Sequence, residues 1–370
     1  VSRRVFVHIG LPKTGTSYLQ AILWPAREQL RSVGLLLPGA RKADHLFASM
    51  VVRDDPGVRR RGPDAPAAWD RVSADVAAWG GDALVSHEFF CAATAEQARR
   101  MVDQLAPAEV HVVVTAREPL GLFTSSWQES LKNKSTTPLR DYGQSVSEDP
   151  RDVWDWRALD LGLVLERWAP AVPAERVHVI CPGPPGSPRE LLWERFAAVL
   201  GLDPAVCDAT RGFANASMGV VEAETLRRIN AALPAYSGHA RGAWIRSFLA
   251  DERLVPRQGE PFWPADDQVA DCRERGRRAV EMLRASAYDV VGDPDLLLVP
   301  DDLPPRRHPD DVTDAEVAAC AVDLVATLMG DLRERAEKPR NNASGPPRPS
   351  PMSRLGRVLR RAAMRQHGAS

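Results

Sequence analysis

The sequence predicts an α/β fold with a central, mostly parallel sheet of about five strands and a helical C-terminal half. Three observations carry this. A short apolar, β-branched run at residues 5–9 is followed by further strand candidates at 34–37, 83–86, 110–116 and 176–181, as expected of strands buried on both faces. Helical patterns lie between them, over 16–31, 67–79, 95–105, 121–131 and 159–168; such alternation builds a parallel sheet covered on two sides. From residue 189 onward the patterns are helical only, over 189–200, 220–233, 241–249, 270–286 and 314–332.

The first strand and helix meet in the most informative turn of the chain. Val5, Phe6 and Val7 lead to Gly10-Leu11-Pro12-Lys13-Thr14-Gly15-Thr16-Ser17, after which Tyr18, Leu19, Ile22 and Leu23 fall at helical spacing. A strand that turns sharply into a helix leaves backbone N–H groups free at the helix start, and the macrodipole behind them favours an anion. Gly10 and Gly15 bracket four residues, as in the phosphate loop GxxxxGK[ST]. The residue after Gly15 is Thr16, however, and the loop's lysine is Lys13, on the turn itself. A P-loop-like, three-layer fold is therefore expected, with a phosphate-bearing donor other than a nucleoside triphosphate held through magnesium. A plain strand-to-helix corner with a Ser/Thr cap is the simpler alternative.

Charge and cysteine content narrow the class. The 370 residues carry a formal net charge of −1, so the molecule as a whole is no electrostatic match for nucleic acid. Five cysteines (Cys91, Cys181, Cys207, Cys272 and Cys320) never fall in CxxC spacing, which argues against a zinc site or a disulfide framework and fits a reducing cytoplasm. No apolar run approaches membrane-spanning length.

A second strand-to-helix corner follows at 110–134. Its apolar strand ends at Thr115, Arg117 and Glu118, and Pro119 is suited to the first helical position. Ser125 stands eight residues after Arg117, about two helical turns on. A guanidinium and a hydroxyl converging from those positions suit a second phosphate; a surface pairing of Arg117 with Glu118 or Glu129 is the competing reading.

Taken together, these stretches resemble the sulfotransferases that use 3′-phosphoadenosine 5′-phosphosulfate (PAPS), most closely their bacterial branch. Pro12-Lys13-Thr14-Gly15-Thr16-Ser17 is similar to the family's 5′-phosphosulfate loop, and Arg117…Ser125 to its 3′-phosphate motif. Trp127-Gln128-Glu129 and Leu192-Trp193…Arg195-Phe196 are also similar, and the resemblance spans roughly residues 3–209. It implies transfer of a sulfuryl group to a hydroxyl or amine of a small molecule or glycan, releasing 3′-phosphoadenosine 5′-phosphate (PAP), with no metal. Lys13 would then stabilise the leaving phosphate, helped by the loop N–H groups. Pro12, Thr14, Gly15, Thr16 and Ser17 would cradle the donor, and Arg117 and Ser125 would fix its other end.

The resemblance leaves the base open. The third strand ends in Val85-Ser86-His87-Glu88; cytosolic relatives place a Lys-Thr-His triplet there with a histidine base, whereas glycan-modifying and many bacterial relatives use a glutamate. His87 matches and the lysine does not, and Glu88 is favoured slightly because a carboxylate near Lys13 acts without a raised pKa. Asn215 and Ser217 resemble an Asn-x-Ser that bacterial relatives carry near the 3′-phosphate, although Ser217 also suits a helix cap. The Arg-Lys-Gly loop of cytosolic relatives has no counterpart. His45, expected in a loop after the second strand, is a candidate for the acceptor pocket.

The expected organisation is a sulfotransferase domain over 1–335, with a core at 1–210 and a helical acceptor-side region at 211–335. A disordered, proline-rich linker at 336–353 and a short basic amphipathic helix at 354–366 complete it. Leu355, Val358 and Leu359 amid five arginines would suit weak contact with a membrane surface. Two alternatives remain: a small-molecule kinase using Mg·ATP, and a non-catalytic nucleotide-binding adaptor.

Overall fold

The structure, a computed structural model of the chain, describes residues 1–211 and 217–337. Six parallel strands form one sheet: β1 (Arg4–Gly10), β2 (Leu35–Leu36), β3 (Asp82–Ser86), β4 (Glu109–Thr115), β5 (Val177–Ile180) and β6 (Asp289–Val291), in the order β2-β3-β1-β4-β5-β6. The chain passes from β1 to one side of the sheet and returns to the other at β4. The crevice between the ends of β1 and β4 is thus a topological switch point, where such sheets hold ligands.

Alternation along the strands separates the two faces. Phe6, Leu84, Val113 and Ile180 share one core cluster with Leu19, Ile22 and Leu23 of α1 (Thr16–Leu23) and with Trp193, Phe196 and Leu200 of α9 (Glu190–Leu200). Val5, Val7, Val85, Val112, Val114 and Val179 point the other way and are fully buried. Each such side chain contributes about 1.5–3 kcal/mol through burial. The intervening helices are α2 (Arg27–Ser32), α3 (Ala43–Val52), α4 (Ala68–Ala78), α5 (Ala95–Gln104), α6 (Pro119–Lys132), α7 (Trp156–Leu159) and α8 (Leu161–Trp168). Beyond α9 come α10 (Val220–Ala232), the single turn α11 (Gly238–Ala240), a π-helical segment (Arg241–Leu254), α12 (Asp266–Ala285) and α13 (Asp314–Glu337).

Four details depart from the sequence expectation. The helix expected over 16–31 is split into α1 and α2, because Pro25 supplies no N–H and disfavours helix at its predecessor. The expected loop around His45 is helix α3, whose Phe47, Ala48, Met50 and Val52 are all buried. A sixth strand, β6, pairs His178↔Asp289 through Ile180↔Val291; three residues are too few to show a period. Finally, α10 is capped by Gly219 rather than Ser217, and Val220 donates its N–H to the Glu260 carbonyl at 2.8 Å.

The chain divides into two compact units, Val1–Ala321 and Val322–Ser370. In the described part of the second, Val322, Val325, Met329 and Leu332 are exposed along α13. The expected linker and basic helix lie outside the described residues.

Candidate active site

The loop between β1 and α1 is built from unusual backbone. Gly10, Lys13 and Gly15 have φ of 115°, 65° and 106°, in the left-handed region that glycine tolerates and lysine enters at a cost of about 1–2 kcal/mol. At Gly15 a Cβ would also lie 2.4 Å from the Leu192 side chain. Gly15 is the N-cap of α1 and provides no capping side chain; no acidic residue occupies the first turn. The Thr16 hydroxyl is buried without a hydrogen-bond partner. An open helix N-terminus beside an orphaned hydroxyl is suited to an oxyanion. Thr14 and Gly15 are partly exposed, Pro12 is buried and Ser17 is exposed in the first turn of α1.

Lys13 is held from the side. Its Nζ donates to Glu129 Oε2 at 2.9 Å, and the other Glu129 oxygen pairs with Arg246 from the π-helical segment. Burial raises the Glu129 carboxyl, but Lys13 and Arg246 outweigh it, so it lies below the usual carboxylate range. A second pair, Lys132 with Asp251 at 2.6 Å, joins the same two elements.

The β4–α6 corner meets the first across the switch point. The Leu11 N–H donates to the Thr115 carbonyl at 2.8 Å, fixing the loop to the end of β4. Arg117 Nη1 donates to Ser125 Oγ at 3.3 Å, and Arg117 Nε lies 3.7 Å from Glu118. Both pairings weighed from the sequence therefore coexist. Glu118 also caps α6, with its two oxygens accepting from the Gly121 N–H at 2.9 and 2.7 Å. Burial, opposed by that cap and by Arg117, holds its carboxyl above the usual range.

Lys13, Thr14, Gly15, Tyr18 and Arg117 line one open cavity of about 330 Å³, whose wall is completed by residues between 181 and 195. Sequence reasoning singled out Leu192 and Arg195 of this wall through the family resemblance, and missed the stretch from Cys181 to Leu191. Its signal was the proline- and glycine-rich run from Cys181 to Pro188 directly after a strand. Arg195 stiffens the wall by donating to the Cys181 and Pro182 carbonyls at 2.7 and 2.8 Å. Tyr18 hydrogen-bonds the Ala209 carbonyl and has the Arg189 guanidinium over its ring.

At the end of β3, the backbone of Glu88 lies against Gly10, where a Cβ would meet the Glu88 carbonyl at 2.9 Å. His87 Nδ1 accepts the Phe89 N–H at 3.2 Å and lies 3.8 Å from Glu88 Oε2. Burial lowers the His87 pKa, with Glu88 opposing. His45 is fully buried; its Nε2 donates to the Pro38 carbonyl at 2.8 Å and its Nδ1 accepts the Ser86 N–H at 3.1 Å. Both ring nitrogens therefore serve backbone, which leaves none to face an acceptor. Ser217 is exposed, and Asn215 lies outside the described residues. Trp127 is a core residue, donating to the Thr137 carbonyl. Among the described residues, no group of three or more His, Cys, Asp or Glu is arranged to hold a metal ion, and no helix is long and apolar enough to cross a membrane.

Comparison with known proteins places one solved structure beside this chain. A sulfotransferase from Alicyclobacillus acidocaldarius is 20% identical with a TM-score of 0.39, over 63% of this chain and 94% of that one. No family model matches the sequence, and no curated protein does.

Proposed function

We propose that the protein is a sulfotransferase that takes its sulfuryl group from PAPS and passes it to a hydroxyl or amine of a small molecule or glycan. One observation carries the reading: Lys13 and Arg117, from two separate strand-to-helix corners, line a single cavity. A ligand with an anionic group at each end suits that arrangement, and both corners carry the residues of the family resemblance. The orphaned Thr16 hydroxyl and the Gly15 N-cap fit the 5′ group. Arg117 with Ser125 fits the 3′-phosphate.

When bound, the donor supplies an activated sulfuryl group. The chain's part is electrostatic and geometric. Lys13 and the α1 N-terminus neutralise charge at the 5′ end, and Arg117 fixes orientation. Glu88 takes the acceptor's proton. It is preferred over His87, whose Nδ1 is occupied by the Phe89 N–H and whose burial disfavours the charged form.

Titration calorimetry with PAP against Mg·ATP tests the donor, and tight binding of Mg·ATP alone would return the protein to the kinase reading. A sulfate mass shift in cell extract incubated with enzyme and PAPS would identify the acceptor. Donor turnover by Glu88→Ala and His87→Ala separates enzyme from adaptor: loss in the first and retention in the second is expected.

A further inference from the structure

Beneath the Lys13 loop lies a chain of polar side chains, buried at His8, Ser86 and Thr115 and reaching the partly exposed Thr14, to which the proposed chemistry gives no catalytic part. His8, in the middle of β1, is fully buried. Its Nδ1 is 2.8 Å from Ser86 Oγ on β3, and its Nε2 is 3.2 Å from Thr115 Oγ1 on β4. Thr115 Oγ1 is 2.6 Å from Thr14 Oγ1, which itself donates to the Leu11 carbonyl at 2.6 Å. The series crosses three strands and ends inside the loop.

Counting protons fixes its direction. A carbonyl only accepts, so the single Thr14 hydroxyl proton goes to Leu11. The close contact between the two threonines then needs the Thr115 proton, in preference to the Gly10 carbonyl at 3.2 Å. Thr115 is left as an acceptor toward His8, so His8 Nε2 must carry the N–H. His8 Nδ1 is then bare and accepts from Ser86. A neutral imidazole has one donor and one acceptor nitrogen, which matches this pattern; burial also holds the His8 pKa down at about 3.

We infer that His8 is a positioning residue: as the Nε2–H tautomer it locks Thr115 onto Thr14 and so holds the loop in its anion-ready shape before any ligand arrives. The loop needs such a lock because Lys13 sits at φ 65° between two left-handed glycines, and unfavourable backbone persists only where its surroundings over-determine it. The role deepens the proposed function and rests on it to the extent that the anion is the donor's 5′ group.

His8 is too central to the sheet to replace safely, so Thr115 is the link to cut. Thr115→Val keeps shape and removes the relay, whereas Thr115→Ser keeps the hydroxyl. Three measurements on the full chain decide. Nitrogen-15 NMR of the histidines should show His8 protonated at Nε2 only. Amide exchange at Thr14, Gly15 and Thr16, without ligand, should quicken about tenfold in Thr115→Val and stay near wild type in Thr115→Ser, with no matching change at β1 amides. PAP affinity should fall about tenfold in the valine variant alone. An Nδ1–H tautomer, or unchanged loop exchange in Thr115→Val, overturns the inference. If wild type binds no PAP, the donor reading fails while the exchange and tautomer data still judge the lock.

Discussion

The two strand-to-helix corners share a topology and treat their helix N-termini in opposite ways. At β1–α1 the N-cap is a glycine without a capping side chain, and the first turn holds a buried hydroxyl with no partner. At β4–α6 the first turn is already served: Glu118 accepts from the Gly121 N–H with both oxygens, and Pro119 has no N–H to offer. Backbone can therefore receive an anion at the first corner, whereas at the second only side chains, Arg117 and Ser125, can do so. A helix dipole is thus not sufficient for an anion site; what already occupies its first turn decides.

The largest way to break this contrast is at the first corner. Lys13→Ala should lower PAPS turnover by about 10²–10³-fold, the usual loss of a charge-stabilising donor, with donor affinity less affected; steady-state kinetics and calorimetry read the two. At the second corner, Arg117→Ala should weaken PAP by about 10–100-fold and leave 5′-AMP, which lacks the 3′-phosphate, nearly unchanged. Equal losses for both nucleotides would undo the division of labour.

The ground beneath the corners gives a third test. His8 and His45 are buried with pKa values held down by desolvation to about 3 and about 4. The unfolded chain takes up protons near pH 6.5 that the folded chain refuses. Their contribution is complete above pH 6.5 and shrinks as pH falls toward those values, by about 1.4 kcal/mol per pH unit for each histidine. Urea denaturation at pH 7.5, 6 and 5 should show the decline; a flat profile would mean that these imidazoles charge inside the fold. The smallest effect should come from Glu118→Ala, which removes the α6 cap and costs about 1 kcal/mol by thermal melting.

Much of the α/β core was legible in the sequence because its signals are local. Val5 to Ile9 announces a buried strand, and Ser125 stands about two turns into α6, where Arg117, just before the helix N-cap, reaches it at 3.3 Å. What escaped was short or long-range. Three residues of β6 carry no period. Helix α3 buries Asp44, His45 and Ser49 among its apolar residues, blurring the amphipathic stripe. The partner of Lys13 is 116 residues away, and Arg246, which completes the cluster, belongs to a π-helical segment whose hydrophobic pattern is weak. Gly219, not Ser217, caps α10, and only glycine fits there because a Cβ would lie 2.4 Å from Gly259 Cα, a contact made with a segment 40 residues on that no local pattern announces.

Because Glu129 pairs with Lys13, a sulfated or phosphorylated molecule of the kind proposed would share Lys13 with a carboxylate rather than meet bare positive charge. The oxyanion would compete with a carboxylate that Arg246 also holds through its second oxygen. Selectivity then depends on how many oxygens the newcomer presents and how well they fit, and weak monovalent anions such as chloride gain little hold. Tuning by ionic strength should accordingly be shallower than the number of cations around the cavity suggests.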